Sequence, residues 1–125
     1  MEKLIFFVDD DKMMLNLLEY TLTSREGYAI KTFYSGEDCL KNMELNPDLI
    51  VLDYMFTSNG SEHLNGLETL KKIKEISATV PVIILTSQED TELQKEFFNH
   101  GAAGYIPKND YFIDALIDTI EARFN

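Results

Sequence analysis

A chain of 125 residues is long enough to bury one hydrophobic core and too short for two, so a single domain over residues 1–125 is expected. Its formal net charge is −11, with 22 acidic against 11 basic side chains, a field that repels phosphate backbones and anionic membranes and argues against direct binding of nucleic acid. The one cysteine, Cys39, excludes an internal disulfide and suits a reducing compartment, its expected role being a small buried residue on a helix.

Near the N-terminus, Lys3 is followed by the apolar run Leu4-Ile5-Phe6-Phe7-Val8, which reads as a buried strand. It is far shorter than a signal-peptide core and is broken by Asp9-Asp10-Asp11. Nothing later is long enough to span a bilayer, so a soluble, cytoplasmic protein is expected. Met14, Leu17, Leu18, Thr21 and Leu22 then form a helical stripe. The second strand, Tyr28 to Phe33, carries Lys31 and Thr32 and so reads as an edge. Leu49-Ile50-Val51-Leu52 is a third, continuous apolar run that ends at Asp53. After a polar stretch come Leu67, Leu70, Ile73 and Lys74 at helical spacing, then the run Val82-Ile83-Ile84-Leu85, which ends at Thr86. A fourth helix holds the adjacent Phe97 and Phe98. The short fifth run, Tyr105-Ile106-Pro107, lies between Gly104 and Lys108 and reads as the other edge. Phe112, Leu116, Ile120 and Phe124 recur at four-residue steps in the last helix. No repeat or low-complexity tract interrupts this order, and with the chain stopping soon after, no output domain is expected.

Strand alternates with helix five times, and parallel strands joined by helices cross over right-handedly. The expected fold is therefore α/β, a doubly wound five-stranded parallel sheet of (βα)5 type. The three continuous runs lie centrally and the two interrupted ones at the edges, giving the flavodoxin-like order 2-1-3-4-5. In that order the winding reverses between strands one and three, and ligands bind beyond the carboxyl ends of the strands at this switch point. Asp9, Asp10 and Asp53 fall there.

Aspartate is also a favoured helix cap, and Asp11 is expected to start the first helix in that role. Capping explains too little for Asp9 and Asp10 facing Asp53, because adjacent carboxylates raise one another's pKa and repel unless a cation is present. A hard divalent ion, magnesium, is the expected occupant. Thr86 and Lys108 end the fourth and fifth runs on the other side of Asp53, where they offer a hydroxyl donor and a cation to an anion attached at Asp53.

Five stretches in order resemble the response-regulator receiver domain of two-component signalling: Phe7-Val8-Asp9-Asp10-Asp11, Val51-Leu52-Asp53-Tyr54-Met55, Gly66-Leu67-Glu68, Ile84-Leu85-Thr86-Ser87, and Gly101-Ala102-Ala103-Gly104-Tyr105-Ile106-Pro107-Lys108. The resemblance covers the whole chain. It implies that Asp53 accepts a phosphoryl group from a histidine kinase or histidine phosphotransfer protein, and that Asp9, Asp10, Asp53 and the Met55 carbonyl hold Mg2+. Thr86 and Lys108 would bind the phosphoryl oxygens, and Tyr105 would change rotamer on activation. The output implied is a downstream protein target or a homodimer, engaged through the fourth helix, fifth strand and fifth helix. Apolar Phe98, Ile113 and Ile117 are expected to leave an exposed patch there.

The sequence also departs from the family. Phe56 and Thr57 replace the usual Met-Pro pair, and the polar loop through His63 is about five residues longer than usual. Asn109 stands where a Pro with a cis bond is common. A cis bond before a residue other than Pro costs about 2.5–4 kcal/mol, so the turn either holds that strain or is rebuilt as trans. Two other readings remain: a receiver-like interaction module that is never phosphorylated, and a small magnesium-dependent phosphohydrolase using Asp9 as nucleophile and Asp11 as acid/base.

Overall fold

In the computed structural model, which describes residues 2–53, 66–87 and 91–124, five parallel strands form one sheet in the order β2-β1-β3-β4-β5. The strands are β1 (Lys3–Val8), β2 (Tyr28–Phe33), β3 (Leu49–Asp53), β4 (Val82–Thr86) and β5 (Gly104–Pro107). The helices are α1 (Lys12–Thr23), α2 (Gly36–Lys41), α3 (Gly66–Ile76), α4 (Thr91–Asn99) and α5 (Phe112–Phe124). This is the doubly wound order expected from the runs. The fully buried β3 and β4 are central, and the mixed burial of β2 and β5 marks the edges.

Because strand side chains alternate between faces, the apolar runs feed two cores. Phe6, Val8, Ile50, Leu52 and Ile84 pack with Cys39, Leu70, Ile73 and Phe97 on the face covered by α2, α3 and α4. Ile5, Phe7, Val51, Ile83 and Leu85 pack with Leu15, Leu18, Leu22, Leu116 and Ile120 beneath α1 and α5. Cys39 is buried on α2 as expected, and burial pushes its thiol up to about 12, which keeps it protonated and unreactive.

Helix ends are set by local chemistry. The Asp11 carboxylate accepts from the amides of Met13 and Met14 at 3.0 and 3.3 Å, capping α1 as expected. At the end of α4, Gly101 adopts φ +100°, Ala102 N donates to Phe97 O, and Gly101 N donates to Phe98 O. That pattern is a Schellman cap, which turns the chain into β5. A Cβ on Gly101 would lie 3.2 Å from the Lys74 stem, which crosses the same spot.

Two details of the expected stripes change. On α1 the inward line is Leu15, Leu18 and Leu22, whereas Leu17 is exposed beside Met13 and Tyr20 on the outer face. On α5, Ile117 is buried with Leu116 and Ile120 rather than flanking them. Lys74 keeps its expected place on the inner side of α3 by sending its ammonium to the Val80 carbonyl at 2.5 Å.

Candidate functional site

Register brings the chemistry together. Val8 pairs with Leu52, so Asp9, one residue past β1, comes level with Asp53 at the end of β3. Thr86 ends β4 opposite Pro107, and Lys108 N donates to Thr86 O at 2.7 Å, which seats Lys108 immediately past β5. Asp9, Asp53 and Thr86 are 3%, 3% and 0% exposed, a burial that polar side chains bear only with partners. The Lys108 ammonium supplies one: it donates to Asp53 Oδ2 and stands 3.8 Å from Asp9 Oδ2. Four of the residues singled out in the sequence thus converge at the carboxyl edge of the sheet.

The negative charge there exceeds what one ammonium balances. Burial first, and then the adjoining Asp53 carboxyl, push Asp9 up to about 8, while the Asp11 amide and Lys108 pull the other way. Asp9 Oδ1 accepts from Asp11 N at 3.0 Å, but Asp9 Oδ2 is buried with no hydrogen-bond partner among the described residues. An orphaned carboxylate oxygen beside a second carboxylate suits a hard cation that takes oxygen ligands and keeps waters. Asp10, the next residue along, is exposed. Among the described residues no three acidic, histidine or cysteine side chains gather closely enough to hold a metal by themselves. Met55 and His63 lie outside the described residues.

The turn that carries Lys108 is trans: no cis peptide bond occurs among the described residues. Of the two alternatives left open by Asn109, this is the rebuilt turn. Asn109 N donates to Pro107 O at 2.9 Å, closing a γ-turn centred on Lys108, and Asn109 Oδ1 accepts from Tyr111 N at 2.8 Å. Both bonds escape a reading of Asn109 as merely a missing proline. The residue type held the signal, because Asn side chains bond to the backbone two residues on.

Tyr105 pairs with Ile84, so its side chain shares a face with Thr86 two residues further along β4. Its ring is half-buried, 6.1 Å from that of Phe97. Beside it a groove of about 240 Å3 is lined by Thr91, Gln94, Tyr105 and Pro107. The apolar patch expected here is smaller than the sequence suggested. Phe97 is fully buried, Ile117 is 6% exposed, and Ile113 is half-buried against the core, so Phe98, at 42%, carries what remains.

The sequence matches the family described as the response regulator receiver domain over residues 5–121. It is 37% identical over 119 residues to the response regulator ArlR of Staphylococcus aureus, covering 94% of this chain and 51% of that protein. The chain therefore spans about half the length of the curated relatives it matches. Among solved structures it is similar to the BeF3-activated receiver domain of DrrB, with 31% identity and a TM-score of 0.82 over 98% of this chain and 97% of that one. DrrB is described as a Thermotoga maritima OmpR/PhoB homologue. The fold is also that of the Vibrio cholerae chemotaxis protein CheY4, at 23% identity and a TM-score of 0.84 over 98% of each chain.

Proposed function

Because this chain belongs to the response regulator receiver domain family, we propose that it is a phosphoacceptor that takes a phosphoryl group on Asp53 from a histidine kinase or histidine phosphotransfer protein and signals by protein contacts. The observation that carries this reading is the buried Asp53 carboxylate, held by Lys108 at the sheet's switch point with Asp9 alongside. An Asp53 oxygen attacks phosphorus as the P–N bond to the donor imidazole breaks. The bonding pair returns to that nitrogen, and an acyl phosphate forms on Asp53. Lys108 then exchanges its carboxylate partner for a phosphoryl oxygen, and the Thr86 hydroxyl donates to another. As Thr86 is drawn to the phosphoryl group, space opens on the face it shares with Tyr105, and the ring turns inward.

Asp9, Asp10, Asp53 and the Met55 carbonyl would hold magnesium. Bound there, the ion offsets the repulsion between an attacking carboxylate and an anionic phosphoryl group. The reaction is the protein's own modification rather than turnover of a substrate. Its setting is the cytoplasm, and its output face is α4, β5 and α5, where the groove at Tyr105 and the exposed Phe98 lie. A phosphohydrolase that uses Asp11 as acid/base finds that carboxylate committed to the start of α1. A receiver-like module without phosphorylation leaves the Asp53–Lys108 pair without a task.

Intact mass after incubation with magnesium and a small-molecule phosphodonor tests the proposal. One added phosphoryl group on the wild type and none on a folded Asp53→Ala variant are expected. Equal labelling of the two proteins, or none of the wild type, would overturn it.

A further inference from the structure

We propose that Asn109 is a positioning residue for phosphoryl transfer, acting through Lys108 by way of the two hydrogen bonds that define the turn after β5. This rests on the phosphoacceptor reading of Asp53. Lys108 is reached by a four-carbon stem with many rotamers, so where its ammonium sits depends on where its backbone is held. Three bonds hold it. Lys108 N is tied to Thr86 O at 2.7 Å, Asn109 N closes the γ-turn onto Pro107 O at 2.9 Å, and Asn109 Oδ1 accepts Tyr111 N at 2.8 Å. The last two belong to Asn109.

The third bond also fixes the entry to α5, since Phe112 N donates back to Asn109 O at 3.3 Å and Ala115 N to Tyr111 O at 3.1 Å. Asn109 therefore ties the turn to a helix anchored in the core by Leu116 and Ile120. Pro at this position has no N–H to close the γ-turn, and Ala has no acceptor for Tyr111. In this chain a trans turn with an Asn side chain does the holding. Asn109 is exposed and its hydrogen bonds go to Pro107, Tyr111 and Phe112 rather than to Asp53, so it acts on the chemistry through Lys108.

The test measures phosphorylation rate by intact mass at saturating donor and magnesium, with melting temperature and amide exchange on the same samples. Asn109→Ala is expected to label about 10-fold more slowly than wild type while remaining folded. Asn109→Asp and Asn109→Ser, which keep an acceptor, are expected to recover most of the rate, and Asn109→Pro is expected to be at least as slow as Asn109→Ala. In a Lys108→Ala background the Asn109→Ala effect should vanish, a coupling that a merely structural role would not show. Exchange of the Lys108 and Tyr111 amides should quicken in Asn109→Ala with no donor present, which reads the positioning apart from the chemistry. A wild-type protein that takes no phosphoryl group sinks the phosphoacceptor reading, and the amide exchange then decides whether Asn109 holds the turn. A wild-type rate in Asn109→Ala, an undiminished effect without Lys108, or failure of both acceptor variants to recover the rate sinks the positioning role. Should Asn109→Ala fail to fold, Asn109→Ser against Asn109→Pro supplies the same comparison.

Discussion

Asp9 is the residue whose ionisation bears most on stability. Its carboxyl is raised from 3.8 to about 8, so the folded chain holds a proton that the unfolded chain releases. A raised folded-state value favours folding fully below the unfolded pKa, and that advantage is lost as pH rises through the folded one. In the absence of divalent cations, stability to urea is expected to decline between about pH 4 and about pH 8. Asp9→Asn should flatten the decline and exceed wild type by ~2 kcal/mol at the upper end. Magnesium at that pH should stabilise the wild type and leave Asp9→Asn nearly unmoved. Parallel pH curves for the two proteins would refute the strained carboxylate. The sequence made this site legible because a run of apolar residues ending in Asp can place carboxylates at a sheet edge by register alone. It did not reveal that Asp10 is exposed or that Asp9 Oδ2 is orphaned, since both depend on how the chain turns after Val8.

At the scale of elements, strand order followed from continuous and interrupted runs, because burial on both faces leaves no room for the Lys31 and Thr32 of β2. Helix faces were harder to assign. Met13-Met14-Leu15-Asn16-Leu17-Leu18 offers two overlapping stripes, and period alone cannot choose between Leu15 and Leu17 as the inward side chain. The choice is made by packing against Phe7 and Val51. Ile117 was misplaced for the same reason. Ile117→Glu would bury an unpaired carboxylate and should cost about 3 kcal/mol or more, whereas Phe98→Glu should cost under about 0.5 kcal/mol. Chemical denaturation of both variants checks the contrast, and equal losses would contradict the burial. Where α2 meets α3 the tolerance is tighter still. A Cβ on Gly36 would fall 2.2 Å from Oγ1 of the fully buried Thr69. Gly36→Ala should therefore lose about 1–3 kcal/mol, part of it recovered by adding Thr69→Ala. An unchanged melting temperature for Gly36→Ala would show that the helices can part at no cost.

For the molecule as a whole, a charge of −11 makes every association a question of which surface is offered to what. On α5, Glu121 pairs with Arg25, just past α1, at 2.8 Å, so the flank carrying Asp114, Asp118 and Glu121 turns toward α1. Ala115 and Thr119 lie on the opposite flank. The flank of α5 turned away from α1 is thereby free of these three carboxylates, which suits it to contact. Phosphorylation of Asp53 is expected to change self-association or target binding through the face of α4, β5 and α5 rather than through residues 57–65. Phe98→Glu should then abolish the phosphorylation-dependent complex in sedimentation experiments while leaving the labelling of Asp53 intact. Salt identifies the partner by sign. Raising ionic strength screens the repulsion between two copies of an acidic chain and strengthens a homodimer, whereas it weakens a complex with a basic target. An identical hydrodynamic size and target affinity with and without the phosphoryl group would mean that the surface is wrongly assigned, as would loss of the response on deleting residues 58–62 with Phe98 left in place.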